Sequence, residues 1–183
     1  MFAGKTAEQA SAMRKAIGLL LDREWMVEKC AQGGQTPANT FVPKSMYSTE
    51  YEYPVEDETY GAGYFSITDL EGNTEEAIEL LKSAGYEFDE DGMLSDSTPL
   101  TLHYLTNEST GHIAIAEAMQ QDLAVVGIDM TIDVEDWNVF LEDRKNGNYD
   151  VARNGWTADY VDPINLLEIF TSTSNNNSCQ LGQ

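Results

Sequence analysis

The sequence predicts an α/β fold with a mixed sheet and flanking helices, organised around a β-α-β-α-β run in its second half. Three observations carry that prediction. Residues 100–105 alternate, placing Leu100, Leu102 and Tyr104 on one face of a strand. Ile128, Met130, Ile132 and Val134 alternate in the same way. Between them Ile113, Ala116, Met119, Leu123 and Val126 recur at helical steps, and Gly127 closes the helix. A strand, a helix and a strand at this spacing make a βαβ unit, whose strands are expected parallel and whose crossover is expected right-handed.

The remaining elements follow in order. Thr6 and Gln9 have capping-box spacing, and Ala10, Met13, Ile17, Leu20 and Leu21 then predict one amphipathic helix running to about Ala31, stopped by Gly33-Gly34. Arg14, Asp22 and Arg23 beside its apolar stripe are expected to form salt bridges along the flank. Residues 35–72 have no period. Pro37, Pro43 and Pro54 punctuate them, and Phe41, Phe65 and tyrosines 47, 51, 53, 60 and 64 suggest an aromatic segment wrapped over the core. Asn73 caps a second helix with Ala77, Leu80, Leu81 and Ala84 inward and Gly85 at its end. Asp91-Gly92 fits a hairpin tip. Asp136 caps a short helix carrying Val139, Phe140 and Leu141, and Gly147 ends it.

Residues 149–163 come last: Tyr149-Asp150-Val151-Ala152-Arg153-Asn154-Gly155-Trp156-Thr157-Ala158-Asp159-Tyr160-Val161-Asp162-Pro163. They begin as a third strand and become a loop, which leaves the carboxyl end of the sheet, where open α/β folds place ligands. Trp156 beside Asp159 offers an aromatic wall and a fixed negative charge, suited to an amine-bearing organic ligand. Gly155 admits close approach of another backbone. Asp162, before Pro163, is read as a helix cap, and residues 164–170 as a helix of two turns.

Composition narrows the function. The 183 residues hold 10 Lys and Arg against 32 Asp and Glu, a net charge of −22. That opposes binding of nucleic acid or of an anionic membrane surface and favours cationic groups. No run approaches the roughly 20 apolar residues of a membrane helix. The first five residues lack the basic and apolar regions of a signal peptide. Cys30 and Cys179 match no metal spacing and are not expected to pair. The acids at 89–96 lack the EF-hand order of ligands, so no metal is expected there. No nucleophile, phosphate-loop, dinucleotide or zinc pattern appears, which leaves no cofactor and no catalytic residue to assign. His103 and His112 are read as core or surface histidines.

Residues 149–160 with Asp162-Pro163 closely resemble the peptide-contacting segment of bacterial oligopeptide-binding proteins, the family 5 solute-binding receptors of peptide ABC importers. Met13-Arg14-Lys15-Ala16-Ile17 with Asp22-Arg23, Pro37-Ala38, Ala84-Gly85-Tyr86, Ile128, Asp136-Trp137 and Gly147-Asn148-Tyr149-Asp150 extend the resemblance through nearly the whole chain. It implies that residues 1–183 form a single domain, most of the far (third) domain of a two-lobed periplasmic-binding-protein-like receptor, truncated at both ends. By the same resemblance Asp159 pairs with a peptide α-ammonium, and Gly155 and Thr157 hydrogen-bond an extended ligand through their backbones. Trp156 walls a side-chain pocket, Arg153 reaches a short peptide's carboxylate, and Trp137 lines a pocket or packs in the core. Gly111, with His112 adjacent, falls where some members carry a histidine for longer peptides.

The implied function is capture of short peptides and delivery to an ABC permease, outside the cytoplasm. Any membrane contact would run through a lipid anchor or the permease. Nickel, haem or oligosaccharide are same-family alternatives. A hydrolase using Asp159 and Asp162, or a structural fragment, are the competitors from other classes.

Overall fold

The computed structural model of the chain describes residues 1–38, 40–46, 72–179 and 181. The expected aromatic wrap at Tyr47, Tyr51, Tyr53, Tyr60, Tyr64 and Phe65 lies outside those residues.

Helix α1 spans Ala7–Leu19, and its start is the predicted capping box: Thr6 Oγ1 accepts from Gln9 N, and Gln9 Oε1 accepts from Thr6 N. The helix does not run on to Ala31. Asp22 adopts an extended conformation, and its Oδ1 accepts from Trp25 N at 2.9 Å, so it caps a new element instead of bridging along a flank. That element is α2 (Arg23–Trp25), continued by a π-helix (Met26–Ala31) that packs on a later helix, α4. Gln32, at φ 50°, ends it one residue before the glycines.

Helix α3 (Thr74–Ser83) is capped by Asn73, whose Oδ1 accepts from Glu76 N at 3.0 Å. Ala77, Leu81 and Ala84 are fully buried against α1. The two helices meet at a tight crossing, where Asn73 N donates to Leu19 O at 2.7 Å. Gly72 sits there at φ +89°, and a Cβ on it would lie 2.5 Å from Leu19 O. Only glycine fits both the angle and the space. The Asp91-Gly92 tip is present: Phe88 and Leu94 form an antiparallel bridge, and Gly92 takes a positive φ of 78°.

The sheet has three described strands, β1 (Thr101–Asn107), β2 (Asp129–Glu135) and β3 (Val151–Ala152), in the order β2-β1-β3. Both pairings are parallel, so these strands do not make the mixed sheet that was expected. Helix α4 (Thr110–Ala124) crosses from β1 to β2, and α5 (Trp137–Asn146) from β2 to β3. Since β1 is central, both its faces are covered. Leu102 and Tyr104 join α1, α3 and α4 in the main core. Leu105 points the other way and is buried on the side where α5 packs, with Phe140 of that helix fully enclosed. Of the apolar residues on this helix Val139 is exposed and Phe140 buried; Asp136 caps it as expected, its Oδ1 accepting from Asn138 N and Val139 N. The last helix, α6 (Ile164–Leu167), runs into a 3₁₀ turn (Glu168–Phe170).

Two substitutions test this packing. Phe140→Ala is expected to cost about 3–5 kcal/mol in urea denaturation, the range for emptying an aromatic core site. Gly72→Ala is expected to cost about 1–3 kcal/mol through backbone strain, although it removes no side-chain contact.

Candidate functional site

The site begins where the β1–β3 ladder ends. Asp150 N donates to His103 O and Asp150 Oδ2 accepts from His103 N, each at 3.0 Å, so a side chain and the backbone together lock the approach of β3. Arg153 N donates to Leu105 O at 2.9 Å as the last sheet bond. Beyond it the chain is free to leave the carboxyl edge as a loop.

That loop is held by α6. Asn165 is 1% exposed, and its Oδ1 accepts both Trp156 Nε1 at 3.1 Å and Asp159 N at 3.0 Å. Its Nδ2 faces Glu168 Oε1, which also accepts from Tyr160 OH. The N-cap position of α6 is Pro163, not Asp162 as the sequence suggested; Asp162 stands just before it, and its Oδ1 accepts from Ile164 N at 2.9 Å. Asp159 is not a cap. It is exposed, and its carboxylate has no hydrogen-bond donor or cation among the described residues.

Arg153 is half-buried, and its guanidinium lies 5.9 Å from the ring centroid of Trp137. Trp137 is 49% exposed, which removes the core alternative for it and places it on the site side of α5. Arg144, also on α5, donates from Nη1 to Asn154 Oδ1 at 2.9 Å, and the same oxygen accepts from Gly155 N. Burial, and secondarily Arg153, pull the Arg144 pKa down. Burial, again with Arg153, holds His112 below the ordinary histidine value. Neither Arg144 nor Arg153 has a carboxylate partner among the described residues. In a chain of net charge −22, two adjacent cations without an acid form a locally positive spot.

Two cavities meet at Asn154. One, of about 400 Å³, lies between Tyr104, His112, Met119 and residues 151–153. The other, of about 290 Å³, lies between Phe41, Trp156, Leu166 and Phe170. Phe41 and Phe170 pack at 4.9 Å between ring centroids. A larger open hollow of about 520 Å³, between α1 and Leu80, contains none of the expected site residues. Gly155 N is occupied by Asn154, but the Thr157 backbone makes no hydrogen bond with the described residues. Thr157 therefore retains a donor and an acceptor for an extended ligand.

All six expected residues, Arg153, Gly155, Trp156, Thr157, Asp159 and Trp137, thus lie on this loop or against it. Sequence reasoning missed Asn165, Arg144 and Asn154. The sequence marks Asn165 only as a poor helix former in a short helix; its burial is seen in the structure alone. His103 pairs with Asp133 at the sheet surface, away from these residues. Cys30 and Cys179 are both free thiols.

Known proteins resemble this chain over most of its length. The oligopeptide-binding protein OppA of Haemophilus influenzae is 34% identical over 171 residues, covering 92% of this chain and 29% of that protein. The murein peptide-binding protein MppA of Escherichia coli is 31% identical over 178 residues, covering 95% and 29%. Among solved structures, the H. influenzae OppA complex with RPPGFSPFR superposes with a TM-score of 0.71 at 30% identity, covering 93% of this chain and 31% of that one. The chain therefore spans under a third of the length of these curated relatives. The profile described as "Bacterial extracellular solute-binding proteins, family 5 Middle" matches residues 5–178, and the chain belongs to that family.

Proposed function

We propose that this chain is most of one lobe of a two-lobed extracytoplasmic receptor that captures short peptides between its lobes and delivers them to an ABC permease. The carrying observation is a pair of unsatisfied charges on one loop: Asp159 has no cation and Arg153 has no anion among the described residues. A peptide zwitterion supplies both. Its α-ammonium meets the Asp159 carboxylate, and its terminal carboxylate meets Arg153 with Arg144 behind it. Thr157 offers backbone bonds that do not depend on ligand sequence, with Trp156 and Trp137 as walls for side chains. Lobe closure excludes water and strengthens each charged contact.

The peptide-binding names of the relatives favour this reading over nickel, haem or an oligosaccharide. They equally favour a binding protein over an enzyme. Of the carboxylate pair that a hydrolase would need, Asp162 already accepts from Ile164 N at the start of α6.

Native mass spectrometry of the gently purified full-length protein tests the proposal. A ladder of bound masses that sequence as short peptides is expected. In Asp159→Asn, affinity for free-amine peptides is expected to fall about 10- to 100-fold, the value of a charge-assisted hydrogen bond. A single non-peptide mass, or equal retention by the variant, would sink the assignment. His112 gives a second check by NMR titration. A bound carboxylate near Arg153 offsets the positive charge that disfavours the imidazolium. The His112 pKa should therefore rise when a peptide acid binds, and stay lower with the C-terminally amidated peptide. Equal shifts from the two ligands would remove Arg153 from its role.

A further inference from the structure

Asn165 stands second in a four-residue helix, is 1% exposed, and turns its side chain back across the loop. Two donors nine and six residues earlier, Trp156 Nε1 and Asp159 N, converge on its Oδ1 at 3.1 and 3.0 Å. That convergence dictates the amide orientation, since the flipped amide would face two N–H groups with an NH₂. Both lone pairs are in use. The intervening Thr157 makes no bond with the described residues, so the loop between Trp156 and Asp159 is spanned by this single oxygen.

We propose that Asn165 is the positioning residue of the ammonium site: one buried amide oxygen fixes the Trp156 indole and the Asp159 backbone relative to each other, and so aims the carboxylate. The inference rests on the peptide reading above. An apolar residue of similar size would leave two donors unpaired, and the loop would move to hydrate them. The carboxylate would remain but would no longer be preorganised, so its contribution to binding would fall.

The test measures binding of trialanine and N-acetyl-trialanine to the full-length protein. The wild type is expected to prefer the free amine. Asn165→Leu is expected to lose about tenfold for trialanine, with little change for the acetylated form. In the Asp159→Asn background, Asn165→Leu should cost nothing further for trialanine, because the carboxylate it aims is absent. The Trp156 indole N–H resonance should move upfield and exchange faster in Asn165→Leu. If that variant does not fold, Asn165→Ser reads the same quantities, because its shorter side chain cannot reach both donors. A wild type without amine preference would overturn the peptide reading, and this inference with it. An intact amine preference in Asn165→Leu, or equal losses for both peptides, would overturn the role of Asn165 alone.

Discussion

Strand β1 pairs on both sides with parallel neighbours, and the rest of the molecule answers to that fact. Parallel strands cannot be joined by tight turns, so each pairing requires a crossover. Helices α4 and α5 supply the two crossovers, and β1 is enclosed from both faces. The ladder sends the carboxyl ends of its strands to one edge. Trp137 follows β2 and Arg153 follows β3, so side chains distant in sequence meet there without any loop being specially shaped to bring them together.

Site electrostatics make sense only against the acidity of the whole. With net charge −22, any cation is surrounded by candidates for pairing, and Lys15 and Lys82 do pair with glutamates at the surface. Arg144 and Arg153 are spared because aromatic rings and an asparagine, not carboxylates, surround their guanidinium groups. Asp159 is spared by the opposite device. It is exposed, and no described residue donates to its carboxylate.

Much of this was legible in the residues alone. The strand alternations, the caps at Thr6, Asn73 and Asp136, and the glycine stops at Gly127 and Gly147 encode local geometry, and local geometry is what pattern reads well. The break in the first helix was missed because Leu20 and Leu21 continue the apolar stripe, and Asp22 resembles a flank charge until its bond to Trp25 N is seen. The parallel direction was readable as well, because a helix joins each pair of strands; the described strands include no antiparallel member that would make the sheet mixed. At the site, the loop residues were readable as a contiguous stretch. Asn165 and Arg144 were not, since each acts through a partner nine or ten positions away that helical spacing does not link.

The crossing of α1 and α3 has a consequence for how this fold can vary. The chain leaves α1 at Leu19 and returns to within one hydrogen bond of that point at Asn73. The segment between begins and ends at this contact, which Gly72 admits by having no Cβ. The entropy of closing such an excursion grows only with the logarithm of its length, about 0.6 kcal/mol per doubling. The excursion also carries packing of its own, since Met26–Ala31 lies on α4 and Phe41 on Phe170, so the Leu19–Asn73 contact fixes where α3 starts without depending on the length of chain between. One backbone hydrogen bond thus ties the end of the first helix to the start of the third across more than fifty positions of sequence.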